Sequence, residues 1–185
     1  MNPQSDRLDV KLEPHRPAWP KLAQAEATRL APILADNLIT IEHIGSTAIP
    51  GIHAKPTIDL LPIVHSIAGV DAIETALKAL GYGWRGEFGL PGRRYCTLDH
   101  PETGRRLFNV HIFETGSHQI HRLLAFRDYL RAHRDEALAY ESEKKRAAAL
   151  HPDDTLAYND AKSVWIKECE TRALAWRATI HSYSS

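Results

Sequence analysis

Residues 41–64 read IEHIGSTAIPGIHAKPTIDLLPIV. Two β-rich runs flank a small-residue turn, Gly45-Ser46-Thr47, and a proline-punctuated loop that ends in Lys55-Pro56. The second run carries a single acid, Asp59, between Ile58 and Leu60. An ionised carboxylate inside a buried strand is costly unless it is paired or bound to a cation. Whatever fold the chain adopts must therefore bring a charge partner to Asp59, or open that end of the strand into a cleft. Two readings follow: a structural salt bridge to Lys55 or an arginine, or a metal-binding or base carboxylate at a cleft edge.

The turn itself offers backbone N–H groups and two hydroxyls, and Gly45 has no Cβ to keep a phosphate away. It is not a Walker A loop, because Lys55 follows Ala54 and precedes Pro56 rather than closing a Gly-Lys-Ser/Thr sequence. The plain alternative is a strand-to-helix turn with a Ser or Thr cap.

The remaining pattern predicts a mixed sheet packed by helices. A helix is expected from Pro20 to about Ala35, with Leu22, Ala25, Ala27 and Leu30 on its apolar side. Residues 1–19 read as partly irregular. Strands are expected over Ile39–Ile44, Thr57–Val64, Arg93–Leu98 and Arg105–Phe113, with a helix over Val70–Leu80 closed by Gly81. Pro62 cannot donate to a ladder, which places it near a strand end or on an edge. Gly86–Gly92 reads as a loop and Asp99–Gly104 as a turn. Ser117 to about His133 and Asp135–Leu150 read as helices. A last helix begins after Pro152-Asp153-Asp154, with Tyr158, Ala161, Trp165, Cys169, Ala173 and Trp176 on one packing stripe. The expected organisation is one domain over 1–185, with a sheet core over 1–116 and a helical part over 117–185.

Bulk properties narrow the function classes. Lys plus Arg (23) equals Asp plus Glu (23), so no global field attracts a polyanion, and no nucleic-acid motif is present. Two distant cysteines, Cys96 and Cys169, read as free thiols of a reducing cytosol. Neither the polar start MNPQSDRLDVKLEPH nor any later apolar run suits a signal peptide or a membrane span, so a cytoplasmic location is expected.

Alternation along 107–113 puts Asn109 and His111 on one face and Phe108, Val110 and Ile112 on the other. Glu42 and His43 lie on opposite faces before the turn, so at most one of them points at a cleft. Lys55, Arg93 and Arg94 are the cationic candidates, and the glycines before Arg93 suit a lid. Arg127 and Arg131, flanking Asp128, can pair on the helix surface or meet an anion. His118 and His121 can pair on a metal or simply be neighbours.

A Gly-Ser turn followed by an Asp on the next strand resembles the nucleotidyltransferase core. More closely, the chain is similar to the GrpB family of that superfamily. The similarity lies in IEHIGSTAIPGIHAKPTIDLL, GYGWRGEFGLPGRRY, NVHIFETGS, FRDYLRAHRDEALAYESEKKRAAA and YNDAKSVWIKECETRALAW. It implies an α/β (α+β) fold, a nucleotidyltransferase-like mixed β-sheet flanked by helices with a helical C-terminal part. It also implies phosphate binding at Gly45, Ser46 and Thr47, charge neutralisation by Lys55, Arg93 and Arg94, and a first metal-binding acid at Asp59. The second acid of such sites falls at Leu61, which cannot ligate a metal. Glu42 and His111 are the substitutes, with Asp59 and His111 as catalytic candidates. Magnesium or manganese is expected before zinc, although imidazole suits Mn²⁺ or Zn²⁺ better than Mg²⁺. The implied ligand is a nucleotide or another phosphate compound. Three functions remain open on the sequence: nucleotidyl transfer, an inactive binding or accessory module linked to coenzyme A metabolism, and a metal-dependent phosphohydrolase. GrpB-like domains fused to dephospho-CoA kinase suit the second.

Overall fold

The computed structural model describes residues 10–182, so the irregular start expected for residues 1–9 lies outside the described residues. The chain forms two compact units. One comprises Arg16–Ala48 and Thr57–Ile120. The other comprises 10–15, Ile49–Pro56 and 121–182 among the described residues.

The first unit is built on a sheet of β1 (Leu38–Ile44), β2 (Ile58–Val64), β3 (Gly83–Trp84), β4 (Arg93–Asp99) and β5 (Arg106–Glu114). The strand order is β1-β2-β5-β4-β3. β2 and β5 run parallel and the other pairs antiparallel, so the sheet is mixed, as expected. Pro62 lies two residues from the end of β2, but in an interior strand. The missing N–H shows in the ladder. The register with β5 passes from Leu60–Val110 to Ile63–Phe113 without pairing Leu61 or Pro62.

Helix α1 (Ala18–Leu34) packs against β1 and β2. It starts two residues before Pro20 and buries Trp19, Ala23, Glu26, Leu30 and Leu34. The face expected from Leu22 and Ala25 is instead exposed, with Leu22 at 48%. The reason is Trp19, whose large ring sets the buried stripe and selects positions four, seven, eleven and fifteen residues on. That stripe includes an acid. Glu26 accepts hydrogen bonds from the Tyr82 hydroxyl and, at 2.7 Å, from Arg29 Nη2. Burial and the Glu26 carboxylate together push the Tyr82 phenol upward.

The single helix expected over Val70–Leu80 is two, α2 (Ile67–Asp71) and α3 (Glu74–Ala79). Ser66 caps α2 through Gly69 N–H, and Ile73 N–H turns back to the Val70 carbonyl, which tightens the chain and breaks the α-helical ladder. Gly81 then takes φ +91°.

The second unit holds most of α4 (His118–Ala132) and all of α5 (Arg134–Leu150), α6 (Thr155–Ala161) and α7 (Ser163–Ser182). The expected last helix is therefore interrupted at Lys162, between α6 and α7. Asp154 caps α6 by accepting from Leu156 and Ala157 N–H. Cys169 and Ala173 are fully buried with Ile49, Ile52, Phe126, Leu130 and Tyr140, and Trp165 and Trp176 pack on this cluster. The expected packing role of that stripe is thus borne out.

Because α1 buries the Trp19 face, Leu30→Ala should cost about 2–5 kcal/mol of stability. Leu22→Ala should stay within about 0.5 kcal/mol. Urea denaturation of the two variants checks the difference.

Candidate functional site

Residues directly opposite one another in paired strands share a sheet face. Asp59 stands opposite Ile44 on β1 and Asn109 on β5, and Glu42 stands opposite Leu61. Asn109 and His111 in turn face Thr97 and Tyr95 on β4. One face therefore carries Glu42, Asp59, Leu61, Tyr95, Thr97, Asn109 and His111. His43 pairs with Leu60 and belongs to the other face.

The turn after β1 is fixed by Asp59. Gly45 adopts φ +72°, and a Cβ placed on it would lie 2.9 Å from Asp59 Cγ and closer still to Oδ2. A side chain there would crowd the Asp59 carboxylate and strain the backbone. Ser46–Ala48 follows as a 3₁₀ turn in which Ala48 N–H returns to the Gly45 carbonyl. Ser46 is half-buried at the start of that turn, where amides have no acceptor within the turn itself. Thr47 is fully buried. Its hydroxyl donates to the Thr57 carbonyl at 3.4 Å and stands 3.0 Å from His43 Nε2, so it locks the turn rather than presenting a donor.

Asp59 is held by hydrogen bonds from its own face. Asn109 Nδ2 donates to Asp59 Oδ1 at 2.8 Å. The amide oxygen of Asn109 accepts from the Tyr95 hydroxyl at 2.8 Å and from Arg106 Nη1 at 3.1 Å. Arg106 is anchored by Asp99. His111 Nε2 lies 3.5 Å from Asp59 Oδ1, and His111 Nδ1 lies 3.4 Å from Arg93 Nη1. A guanidinium only donates, so Nδ1 is the acceptor and the ring proton sits on Nε2, toward the carboxylate. The Tyr95 ring lies tilted against His111 at 5.0 Å and against Phe88 at 5.3 Å, with the Arg93 guanidinium 4.9 Å above it. Burial first, then the Asp59 charge, pushes the Tyr95 phenol up to about 12 against the pull of nearby arginines.

Arg93 also organises the glycine-rich loop. Its Nε donates to the Glu87 carbonyl at 3.1 Å and its Nη2 to the Phe88 carbonyl at 2.7 Å. Phe88 is exposed and takes φ +44°, unusual for a bulky residue.

The structure brings Gly45, Ser46, Asp59, His111 and Arg93 to one region of the sheet unit, with Glu42 on the same face. Arg94 points the other way. It stands opposite Ile112, and its guanidinium is engaged by Asp71 of α2 at 2.5 and 2.7 Å. Lys55 belongs to the helical unit, where it donates to Thr155 Oγ1 at 3.2 Å. The Arg127–Asp128–Arg131 set forms ion pairs, joined by Arg177 at 3.4 Å. Sequence reasoning missed Tyr95 and Arg106 as partners of the site. Tyr95 could have been found, because Arg93, Tyr95 and Thr97 share a face by the two-residue period of a strand.

Leu61, at the second-acid position, is fully buried. Among the described residues, no group of three or more His, Cys, Asp or Glu side chains stands where it could share a metal ion. His118 and His121 complete no such group either. The side chain of Asp59 remains 23% exposed and contacts Asn109 and His111.

The family profile described as GrpB protein matches residues 9–172. The Bacillus subtilis UPF0157 protein YqkA is 42% identical over 159 residues, covering 86% of this chain and 46% of that protein. The chain thus spans about half the length of this curated relative. A dephospho-CoA kinase of Mycolicibacterium paratuberculosis is 30% identical, covering 92% of this chain and 47% of that one. The crystal structure of conserved protein GrpB from Enterococcus faecalis superimposes with a TM-score of 0.84 at 40% identity, covering 90% of this chain and 99% of that one. The Cid1 poly(U) polymerase superimposes with a TM-score of 0.51 at 15% identity over 74% of this chain and 42% of that one. That last likeness establishes a nucleotidyltransferase-like fold and nothing about activity.

Gly45→Ala should destabilise the protein by about 2–4 kcal/mol, of which roughly 1–2 kcal/mol is backbone strain. Adding Asp59→Ala should recover the remainder. A double-mutant cycle by urea denaturation reads the coupling, and additive effects would contradict the close approach.

Proposed function

The chain belongs to the GrpB family, and on that premise we propose that it binds a small phosphate-bearing ligand, a nucleotide or another phosphate ester, on its nucleotidyltransferase-like fold. The observation that carries this reading is the seating of Gly45 against the Asp59 carboxylate. It holds the Ser46 turn at the end of a polar strand face. The ligand phosphate takes the turn amides and the Ser46 hydroxyl, and Arg93 offsets its charge. Asp59 is the donor for a magnesium ion that arrives with the phosphate, since Mg²⁺ is commonly held by one or two carboxylates plus ligand oxygens.

The same geometry favours binding over chemistry. A general base needs an available lone pair, and that of His111 Nδ1 faces a guanidinium. His111, between Asp59 and Arg93, orients both. Leu61, buried where two-metal enzymes carry a second acid, supports binding over nucleotidyl transfer or phosphate-ester hydrolysis.

A second reading, an accessory role beside coenzyme A synthesis, is favoured by the relative named dephospho-CoA kinase, which carries a matching region. One experiment addresses both. Thermal midpoints are measured with ATP, GTP, CTP, UTP and dephospho-CoA, each with and without Mg²⁺ or Mn²⁺, for the native chain and Asp59→Asn. A bound ligand at a hundredfold excess over Kd should raise the midpoint by roughly 5 °C or more. The metal-dependent part of that rise should vanish in Asp59→Asn. A rise confined to dephospho-CoA selects the accessory reading. A folded protein that no phosphate compound stabilises overturns the proposal.

A further inference from the structure

The glycine-rich loop between β3 and β4 holds up an aromatic ring for which phosphate binding alone gives no role. Phe88 is 57% exposed. Its backbone stands at φ +44°, which a residue with a bulky side chain adopts only when its surroundings enforce it. Arg93 supplies much of that enforcement, donating to the Phe88 carbonyl at 2.7 Å and to the Glu87 carbonyl at 3.1 Å. The Glu87 carboxylate accepts from Gly92 N–H at 2.7 Å, and Leu90 N–H turns back to the Glu87 carbonyl at 3.1 Å. The loop backbone is thus pinned while the ring it carries faces water. A Cβ at Gly86, Gly89 or Gly92 would meet nothing within 4 Å, so nothing packs over the loop at those three positions.

The ring is also in line with the phosphate turn. Phe88 lies against Tyr95, Tyr95 lies against His111, and His111 Nε2 is 3.5 Å from Asp59 Oδ1, on which Gly45 is seated. All of these residues belong to the sheet unit. The row is open to solvent, with the His111 and Asp59 side chains 20% and 23% exposed. Its far end is a lone apolar group. The other exposed large hydrophobic side chains of this unit are Leu22, on α1, and Ile39, on β1 at the opposite edge of the sheet. A docked protein buries far more apolar surface than one ring. A lone, rigidly held aromatic face suits one planar group whose edges stay in water, and a nucleobase is such a group.

We propose that Phe88, backed by Tyr95, is a stacking platform for the base of a nucleotide, so that this face takes a nucleoside phosphate rather than a phosphate ester without a base. The inference rests on the phosphate binding at the Ser46 turn proposed above. In a nucleotide a ribose separates base from phosphate, and here Tyr95 and His111 separate Phe88 from Asp59 and the turn. Every base has a π-face, so the platform selects nucleotides as a class rather than one base. Arg93 joins the two ends, because the guanidinium that offsets the phosphate charge also fixes the loop that carries the ring. Holding the ring in place before the ligand arrives reduces the ordering that binding would otherwise cost.

The experiment is calorimetric titration of the whole chain, in excess Mg²⁺, with ATP, GTP, CTP and UTP and with inorganic tripolyphosphate, the same phosphate chain without ribose or base. Phe88→Gly should weaken the tightest-binding nucleotide at least about fivefold and leave tripolyphosphate within about twofold of the native chain. Phe88→Trp should keep the nucleotide affinity, since it keeps an aromatic face. Glycine relaxes a backbone at φ +44°, so the thermal midpoint of Phe88→Gly should be no lower than that of the native chain. A lowered midpoint with unchanged nucleotide binding makes Phe88 a packing residue and overturns the platform. Equal weakening of nucleotide and tripolyphosphate overturns it too, because the ring then acts only through the loop. Tripolyphosphate binding with no nucleotide binding overturns the platform and leaves the phosphate site standing. If neither kind of ligand binds, the phosphate site falls and the platform falls with it.

Discussion

The contact between Gly45 and Asp59 sets the geometry of the sheet unit. A carboxylate on an interior strand has to be solvated by something, and here the solvent is protein. Asn109 donates to one oxygen, while the other lies against a backbone that bears no side chain. That close approach ties the end of β1 to the start of β2 and forces the left-handed backbone of the turn. From there a hydrogen-bonded series runs across three strands, from Asp59 to Asn109 to Tyr95, with Arg106 and Asp99 behind. Removing the carboxylate would leave an amide, a phenol and a guanidinium without the charge that aligns them.

Much of this was legible in the sequence because strands have a short, unambiguous period. The runs around Ile41, Leu60, Cys96 and Val110 announce themselves by β-branched content and alternation, and each is found within a residue or two of its expected bounds. Asp59 stood out for the same reason, being polar where its neighbours are not. The helices were read less well, because a 3.6-residue period tolerates more than one stripe. Leu22 and Trp19 define competing faces of α1, and only packing decides between them. The breaks at Ala72–Ile73 and at Lys162 carry no glycine or proline, so nothing in the local sequence marks them.

The site was half legible. Gly45, Ser46 and Asp59 lie together as the motif suggests, whereas Arg94 lies on the other face because neighbouring residues on a strand point to opposite faces. Only Arg93 shares the polar side, while Arg94 is claimed by Asp71. Thr47 looked like a donor by composition, but its burial and its bond to the Thr57 carbonyl make it part of the frame. The burial of Lys144, whose Nζ donates to the His53 carbonyl, was invisible for a different reason. A lysine in an Ala-rich, charged helix reads as solvated, and its burial depends on residues some ninety positions earlier in the chain.

That dependence has a consequence for how the molecule is made. Ile52 and Ala54 are wholly buried, yet they belong to the unit whose helices begin only at α4. During synthesis the segment Ile49–Pro56 leaves the ribosome well before the helices that cover it have been translated. The sheet strands on either side of it can pair in the meantime, leaving that apolar loop displayed until the last third of the chain arrives. No single cut in the polypeptide divides the two units, because Ile49–Pro56, which lies between β1 and β2, belongs with the helices of the last third.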